Sequence, residues 1–285
     1  MTRLPHLLAL ASAVCSAFAS IFIRQGLRGG DAQSGFGINL LVGATGLWAA
    51  VLLLPAGPAR LDGLALFALS GLIGTFGGRL FRFLSIDKVG AAVSSALIGL
   101  APFISAALAI SLLGEAITLP IVVGTVVIVG GTILLTASGR RVGFRAWHVI
   151  LPLLSATCFG VVAILRKLGV GSTGPVLGFA VTVTTALTLF VITSAITRNY
   201  RRMSCSRRSV AYFVAAGVAE NASVLLTVFA LKVGHVSVVT PLTSAAPLFV
   251  LVLAPMFLGD VEPLTLRVVV GTVLIVLGVY AITVF

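Results

Sequence analysis

Of the seven carboxylates in the chain, Glu220 alone sits deep inside a long apolar run, Val210–Leu231, beside Asn221. An ionisable group at that depth in a bilayer costs several kcal/mol unless it faces a cavity or a partner, so it is a functional candidate by position. Its chemistry suits binding a proton or the cationic part of a solute. Arg79 and Arg82, one turn apart on the run Gly63–Leu84, share a helical face and would present positive charge to an anionic group. Arg79 lies roughly 6 Å along the axis from the midpoint of its run, so an ion pair with Glu220 is geometrically open. Arg82, nearer the helix end, has snorkelling to the headgroups as its alternative.

Weaker candidates surround these. Asn39, Thr75, Ser94, Ser95, Thr243 and Ser244 are polar positions within apolar runs and would line a cavity, although membrane-helix hydroxyls commonly bond to their own backbone. Pro102, Pro241 and Pro247 each remove an intrahelical hydrogen bond and free a carbonyl, which predicts kinks more than direct ligation. No catalytic residues are predicted. His6, His148 and His235 are scattered, and the remaining carboxylates, Asp31, Asp62, Asp87, Glu115, Asp260 and Glu262, fall in loops or at helix ends without paired spacing. Cys15, Cys158 and Cys205 have no metal-ligand spacing, so neither a metal nor a cofactor is expected. No Gly-x-x-x-x-Gly-Lys-Ser/Thr sequence occurs, which removes ATP as a direct energy source.

The elements that must hold these residues are membrane helices. With 59% hydrophobic and only 9% charged residues, the chain cannot cover a water-facing surface. Its continuous apolar runs match the roughly 20 residues a helix needs to cross the hydrocarbon, and in lipid only helices or closed barrels satisfy the backbone. Ten spans are predicted: Leu4–Ile23, Phe36–Leu54, Gly63–Leu84, Val89–Leu113, Ile117–Ala137, Trp147–Leu165, Gly174–Thr197, Val210–Leu231, Val236–Leu258 and Pro263–Val284. The net charge of +12 resides in the short connections, where it suits anionic lipid; the aromatic interleaving of a nucleic-acid site is absent, so no nucleic-acid partner is expected.

Special residues recur at a nearly constant shift. Ser12-Ala13-Val14-Cys15 returns 143 positions later as Ser155-Ala156-Thr157-Cys158, together with Gly26 and Gly169. Pro102 meets Pro247, and Gly114-Glu115 meets Gly259-Asp260, at 145; Gly124 and Gly131 meet Gly271 and Gly278 at 147. This predicts a duplicated five-helix unit, residues 1–138 and 147–285 joined by a basic linker at 139–146. An odd number of spans makes the second copy enter from the opposite side, so the fold class expected is an all-α integral membrane protein of two inverted five-helix repeats, a plan common among secondary transporters.

The stretch Gly71, Arg82, Leu84, Val89-Gly90-Ala91-Ala92-Val93, Pro102, Gly114-Glu115, Gly124 and Gly130-Gly131, echoed by Ala230-Leu231-Lys232-Val233-Gly234, Pro247 and Gly259-Asp260, resembles EamA-type members of the drug/metabolite transporter superfamily. Asp260 stands where that family usually has Glu. The resemblance implies a carrier whose third, fourth, eighth and ninth helices line a central cavity. The function expected is alternating-access movement of a small metabolite, amino acid or drug-like solute, as an exporter or exchanger; proton coupling and facilitated diffusion both fit. A lipid flippase or a membrane interaction subunit is the alternative, and an enzyme is not expected. Partners are therefore the solute and membrane lipid, and the location a plasma membrane of bacterial type. Five basic residues on the terminal face against twelve on the other place both termini outside, whereas the resemblance implies cytoplasmic termini.

Overall fold

The computed structural model describes residues 4–53, 57–101, 103–104, 119–137, 145–198, 203–233, 239, 242–243, 245–258 and 265–284. Ten helices lie among the described residues: α1 Leu4–Gly26, α2 Ala32–Leu53, α3 Leu61–Val89, α4 Ala91–Ile98, α5 Leu119–Ala137, α6 Ile150–Val170, α7 Pro175–Ile196, α8 Arg207–Val233, α9 Ala246–Leu258 and α10 Leu266–Val284. Six of them, α1, α2, α3, α6 (with the 3-10 turn Ala146–Val149 leading into it), α7 and α8, are long and apolar enough to cross a membrane. The shorter α4 breaks at Gly99 and Leu100, and α9 begins at Ala246 after a turn at Ala245.

Local chemistry sets several boundaries that hydropathy misplaces. Asp87 and Lys88 belong to the last turn of α3 rather than to a link, because the chain turns only at Gly90, whose φ of 86° is a backbone conformation that glycine adopts readily. Pro247 stands in the first turn of α9, directly after the turn at Ala245 that interrupts the predicted ninth span. The interior proline of that helix is Pro255. Pro102, Pro241 and Ser244 lie outside the described residues.

The two halves pack as equivalents. α1 lies along α8 and α6 along α3; α2 pairs with α7, α4 with α9 and α5 with α10. In the α5–α10 pair a Cβ on Gly131 would stand 2.8 Å from the Gly271 carbonyl oxygen and 2.9 Å from Ile275 Cγ1, and one on Gly278 would stand 2.8 Å from the Gly124 oxygen and 2.7 Å from Ile128 Cγ1. Each contact becomes the other when residues are exchanged at the shift of 147. Because Gly124 faces Gly278 while Gly131 faces Gly271, these equivalent helices run antiparallel, which is the geometry of inverted repeats. The connections agree: Gly30 pairs with Cys205 at one end of the bundle and Ala59 with Thr173 at the other.

One irregularity breaks the equivalence. Phe213 of α8 is wedged against Gly26 and Gly35, and Phe67 of α3 against Gly169 and Gly178, so Phe67 and Phe213 correspond. Ser12 Oγ donates to the Ser223 carbonyl at 2.8 Å and Ser155 Oγ to the Gly78 carbonyl at 2.8 Å, so Gly78 and Ser223 correspond too. Eleven positions separate Phe67 from Gly78, but ten separate Phe213 from Ser223. The extra residue is absorbed at Gly71–Gly78, where α3 is π-helical and the Arg79 N–H reaches back five residues to the Gly74 carbonyl. α8 is α-helical throughout. Such one-turn π segments concentrate at functional sites, and this one ends where Arg79 begins.

Candidate functional site

A cavity of about 240 Å³ opens at the seam between the repeats, walled by α1, α3 and α4 from the first half and by α6, α8 and the chain entering α9 from the second. Both helix breaks border it. Gly99, at the end of α4, packs against Pro247, with 3.2 Å between a built Cβ and the proline Cγ. Ser95, Thr243 and Pro247 of the predicted residues line this space, as do Arg79, Arg82 and Glu220.

Glu220 is 4% exposed and Arg82 6%. Arg82, not Arg79, is its main partner. Arg82 Nη1 donates to both carboxylate oxygens, at 2.6 and 2.7 Å, while Nη2 donates to Ser20 Oγ at 2.7 Å and to the Ser16 carbonyl at 3.0 Å. Snorkelling is therefore not how Arg82 is accommodated: charge pairing and α1 acceptors satisfy it inside the bundle. Arg79, 2% exposed, keeps only a 3.8 Å approach from Nε to Glu220 Oε1, and its Nη1 donates to Asn39 Oδ1 at 2.9 Å and Asn221 Oδ1 at 3.2 Å. Asn221 in turn donates Nδ2 to the Gly217 carbonyl at 2.7 Å, which fixes the orientation of its amide.

The other predicted residues divide. Asn39 and Asn221 are buried behind Arg79 and hold it without lining the cavity. Ser95 bonds Ser20 Oγ at 3.1 Å and so joins the Arg82 network. Ser94 is fully buried against Ser85, away from the cavity, and Thr75 is buried in the π segment with no hydrogen-bond partner for its hydroxyl among the described residues.

Sequence reasoning missed Arg166. By the predicted span end at Leu165 it is one of the five basic residues of the terminal face, but α6 runs on to Val170 and Arg166 lines the cavity, its guanidinium 5.6 Å from the Phe179 ring centroid. Arg79 approaches the same ring at 5.8 Å. The predicted end at Leu165 hid it, because an arginine beside a lysine at the end of an apolar run reads as a headgroup anchor. Ser12, Ser16, Ser223 and Thr227 also border the space; Ser12 and Ser223 bond each other, and Thr227 bonds Ser12 Oγ at 2.7 Å.

The model of the EamA-like transporter family matches the chain twice, over residues 3–137 and 146–284. The chain belongs to the EamA-like transporter family. It is thus an integral, multi-pass membrane transporter of the drug/metabolite transporter type, built of two repeats. One crystal structure aligns over 99% of this chain and 96% of its own length with a TM-score of 0.66 at 15% identity, a likeness that speaks to the fold alone. No curated protein matches the sequence significantly. Among the described residues no cluster of His, Cys, Asp or Glu is placed to hold a metal ion. For this EamA-like chain the chemistry of the cavity is that of three guanidinium groups, one carboxylate and a ring of serine and threonine hydroxyls.

Proposed function

We propose that this EamA-like transporter is a secondary carrier that moves a small solute by alternating access, as an exporter or exchanger, through the cavity at the repeat seam. The observation that supports the reading is the buried Arg82–Glu220 pair, which ties α3 of one repeat to α8 of the other inside that cavity. A charge pair spanning the seam is a two-state element. Breaking it exposes two buried charges at a cost of several kcal/mol, and solute or proton binding offsets that cost in one conformation only. Proton uptake by Glu220 would release Arg82 and so couple protonation to the rearrangement.

Alternating access is tested with Ser95→Cys in a chain whose native cysteines are replaced by serine. A membrane-impermeant thiol reagent should label it from either face of a proteoliposome, but from one face at a time when the seam is locked. Simultaneous access from both faces would describe a channel instead. Glu220→Gln tests the coupling: unchanged transport with unchanged pH dependence removes the proton role. With Arg166 drawn into the cavity, basic residues split four on the terminal face to twelve on the other, so we place the termini on the non-cytoplasmic side of a plasma membrane. A reporter fused after Phe285 that is active only in the cytoplasm overturns that placement.

A further inference from the structure

The charges lining the cavity do not balance. Arg79, Arg82 and Arg166 supply three positive charges and Glu220 one negative, leaving a formal +2 in a space that α-helices enclose. Arg82 uses Glu220 fully, with both carboxylate oxygens on Nη1. Arg79 is held by two neutral amide oxygens and a carboxylate 3.8 Å away, and its Nη2 is buried with no hydrogen-bond partner among the described residues. Arg166 forms no ion pair among the described residues, and its buried Nε also has no partner there. An unpaired buried donor on a charged group is costly, and two cations against one aromatic ring repel each other. Helices do not retain two such groups to no purpose, and an anion supplies what both lack. Between the serine and threonine hydroxyls the wall is aliphatic or aromatic, with Ile98, Phe159, Val224, Val228 and Val239.

We propose that the solute is a small organic anion, whose carboxylate or phosphate head is held by Arg79 and Arg166 beside Phe179 and whose apolar part rests on the Ile98–Phe159–Val224 wall. The proposal rests on the carrier reading above and narrows it to a substrate class. A planar carboxylate accepts from Arg79 Nη2 and from Arg166, and the neutralised pair of cations then packs against the ring at lower cost. Size follows from volume: at about 30 Å³ per water, 240 Å³ holds roughly eight water volumes, enough for a solute of four to six carbons.

The test uses three probes that share a five-carbon branched skeleton and differ in charge: isovalerate, isoamyl alcohol and isoamylamine. Titration calorimetry on the detergent-purified full chain should show isovalerate binding about tenfold or more tighter than the other two. Arg166→Gln should weaken isovalerate about tenfold at unchanged melting temperature, and Arg166→Lys should recover part of the loss, because it restores charge without the fork. Isoamylamine or the alcohol binding as well as isovalerate overturns the proposal, as does isovalerate binding that Arg166→Gln leaves intact, or no binding of any probe. Phosphatidylglycerol added to the micelles should not displace isovalerate; displacement reassigns the site to a lipid headgroup and overturns the free-solute assignment. The carrier reading fails separately, if the Ser95→Cys chain is labelled from neither face or from both at once whatever the probes do.

Discussion

In the first repeat, Ser12 donates to the Ser223 carbonyl of α8; in the second, Ser155 donates to the Gly78 carbonyl of α3, at the same 2.8 Å. The Asp31 N–H reaches the Ser204 carbonyl, and the Gly174 N–H reaches the Pro58 carbonyl. Phe213 sits between Gly26 and Gly35 as Phe67 sits between Gly169 and Gly178. The cavity wall obeys no such exchange. At the shifts that relate these contacts, Glu220 corresponds to Thr75, Arg82 to Thr227, Arg79 to Val224 and Arg166 to Ile23. Backbone contacts and glycine wedges are common to both halves and charge is not. A symmetric frame lets the halves exchange conformations at little cost, and an asymmetric wall gives a solute one preferred pose; the two demands fall on different residues.

The sharpest way to break this contrast is to exchange the burdens of Glu220 and Thr75. Glu220→Ala leaves Arg82 and Arg79 as uncompensated buried charges, so transport should be abolished and stability in detergent should fall by about 3–5 kcal/mol. Thr75→Ala, at the equivalent place, removes a hydroxyl without a described partner and should change stability by less than about 1 kcal/mol. Chemical denaturation of both variants measures the difference. Equal losses would mean that the position, not the charge, carries the load.

Deleting Leu72, an exposed residue of the π segment, restores ten positions between Phe67 and Gly78 and should return α3 to regular α-helix. Because α8 spans the equivalent contacts with ten α-helical positions, Gly78 then keeps its place against Ser155, and Arg79 and Arg82 stay on the cavity face, so uptake should be retained with unchanged helix content by circular dichroism. Lost transport would show that the π geometry itself, beyond the register it preserves, aims the two arginines.

Much of the frame was legible in the sequence because it is written in residues with few alternatives. Gly26 and Gly169, Gly131 and Gly278, and Ser12 and Ser155 match at fixed shifts since only small or hydroxyl side chains fit those close approaches. The cavity was half legible. Glu220 and Arg79 stood out by depth, but which arginine takes the carboxylate depends on the rotation of α3, and an inserted residue that repacks as a π turn leaves no mark in hydropathy. Arg166 was hidden by its neighbour Lys167. The twin wedges test the legible part. Phe67→Ala and Phe213→Ala each leave an unfilled site between two glycines, and each should cost about 3 kcal/mol or more. Losses differing by more than about 1 kcal/mol would show the frame less symmetric than its contacts.

The smallest expected effect separates the halves at their capped loops. Asp31 caps α2: Oδ1 accepts from the Gln33 and Ser34 N–H groups at 2.9 Å each, and Oδ2 from Ser34 Oγ at 2.6 Å and the Ser204 N–H at 2.8 Å. Gly174, its counterpart before α7, carries no side chain and leaves the work to Pro175 at the first helical position. Partial burial pushes the Asp31 carboxyl up, but the four hydrogen bonds together outweigh it and hold the group below its ordinary value of 3.8. A carboxyl depressed on folding adds stability that is complete above the unfolded value and disappears as pH falls through the folded one. Asp31→Ala should therefore cost about 1 kcal/mol at pH 7. The gap between wild type and variant should hold down to about pH 5 and close on further acidification. Gly174→Ala should show no such pH dependence, and a gap that persists in acid would mean that Asp31 acts by shape and not by charge.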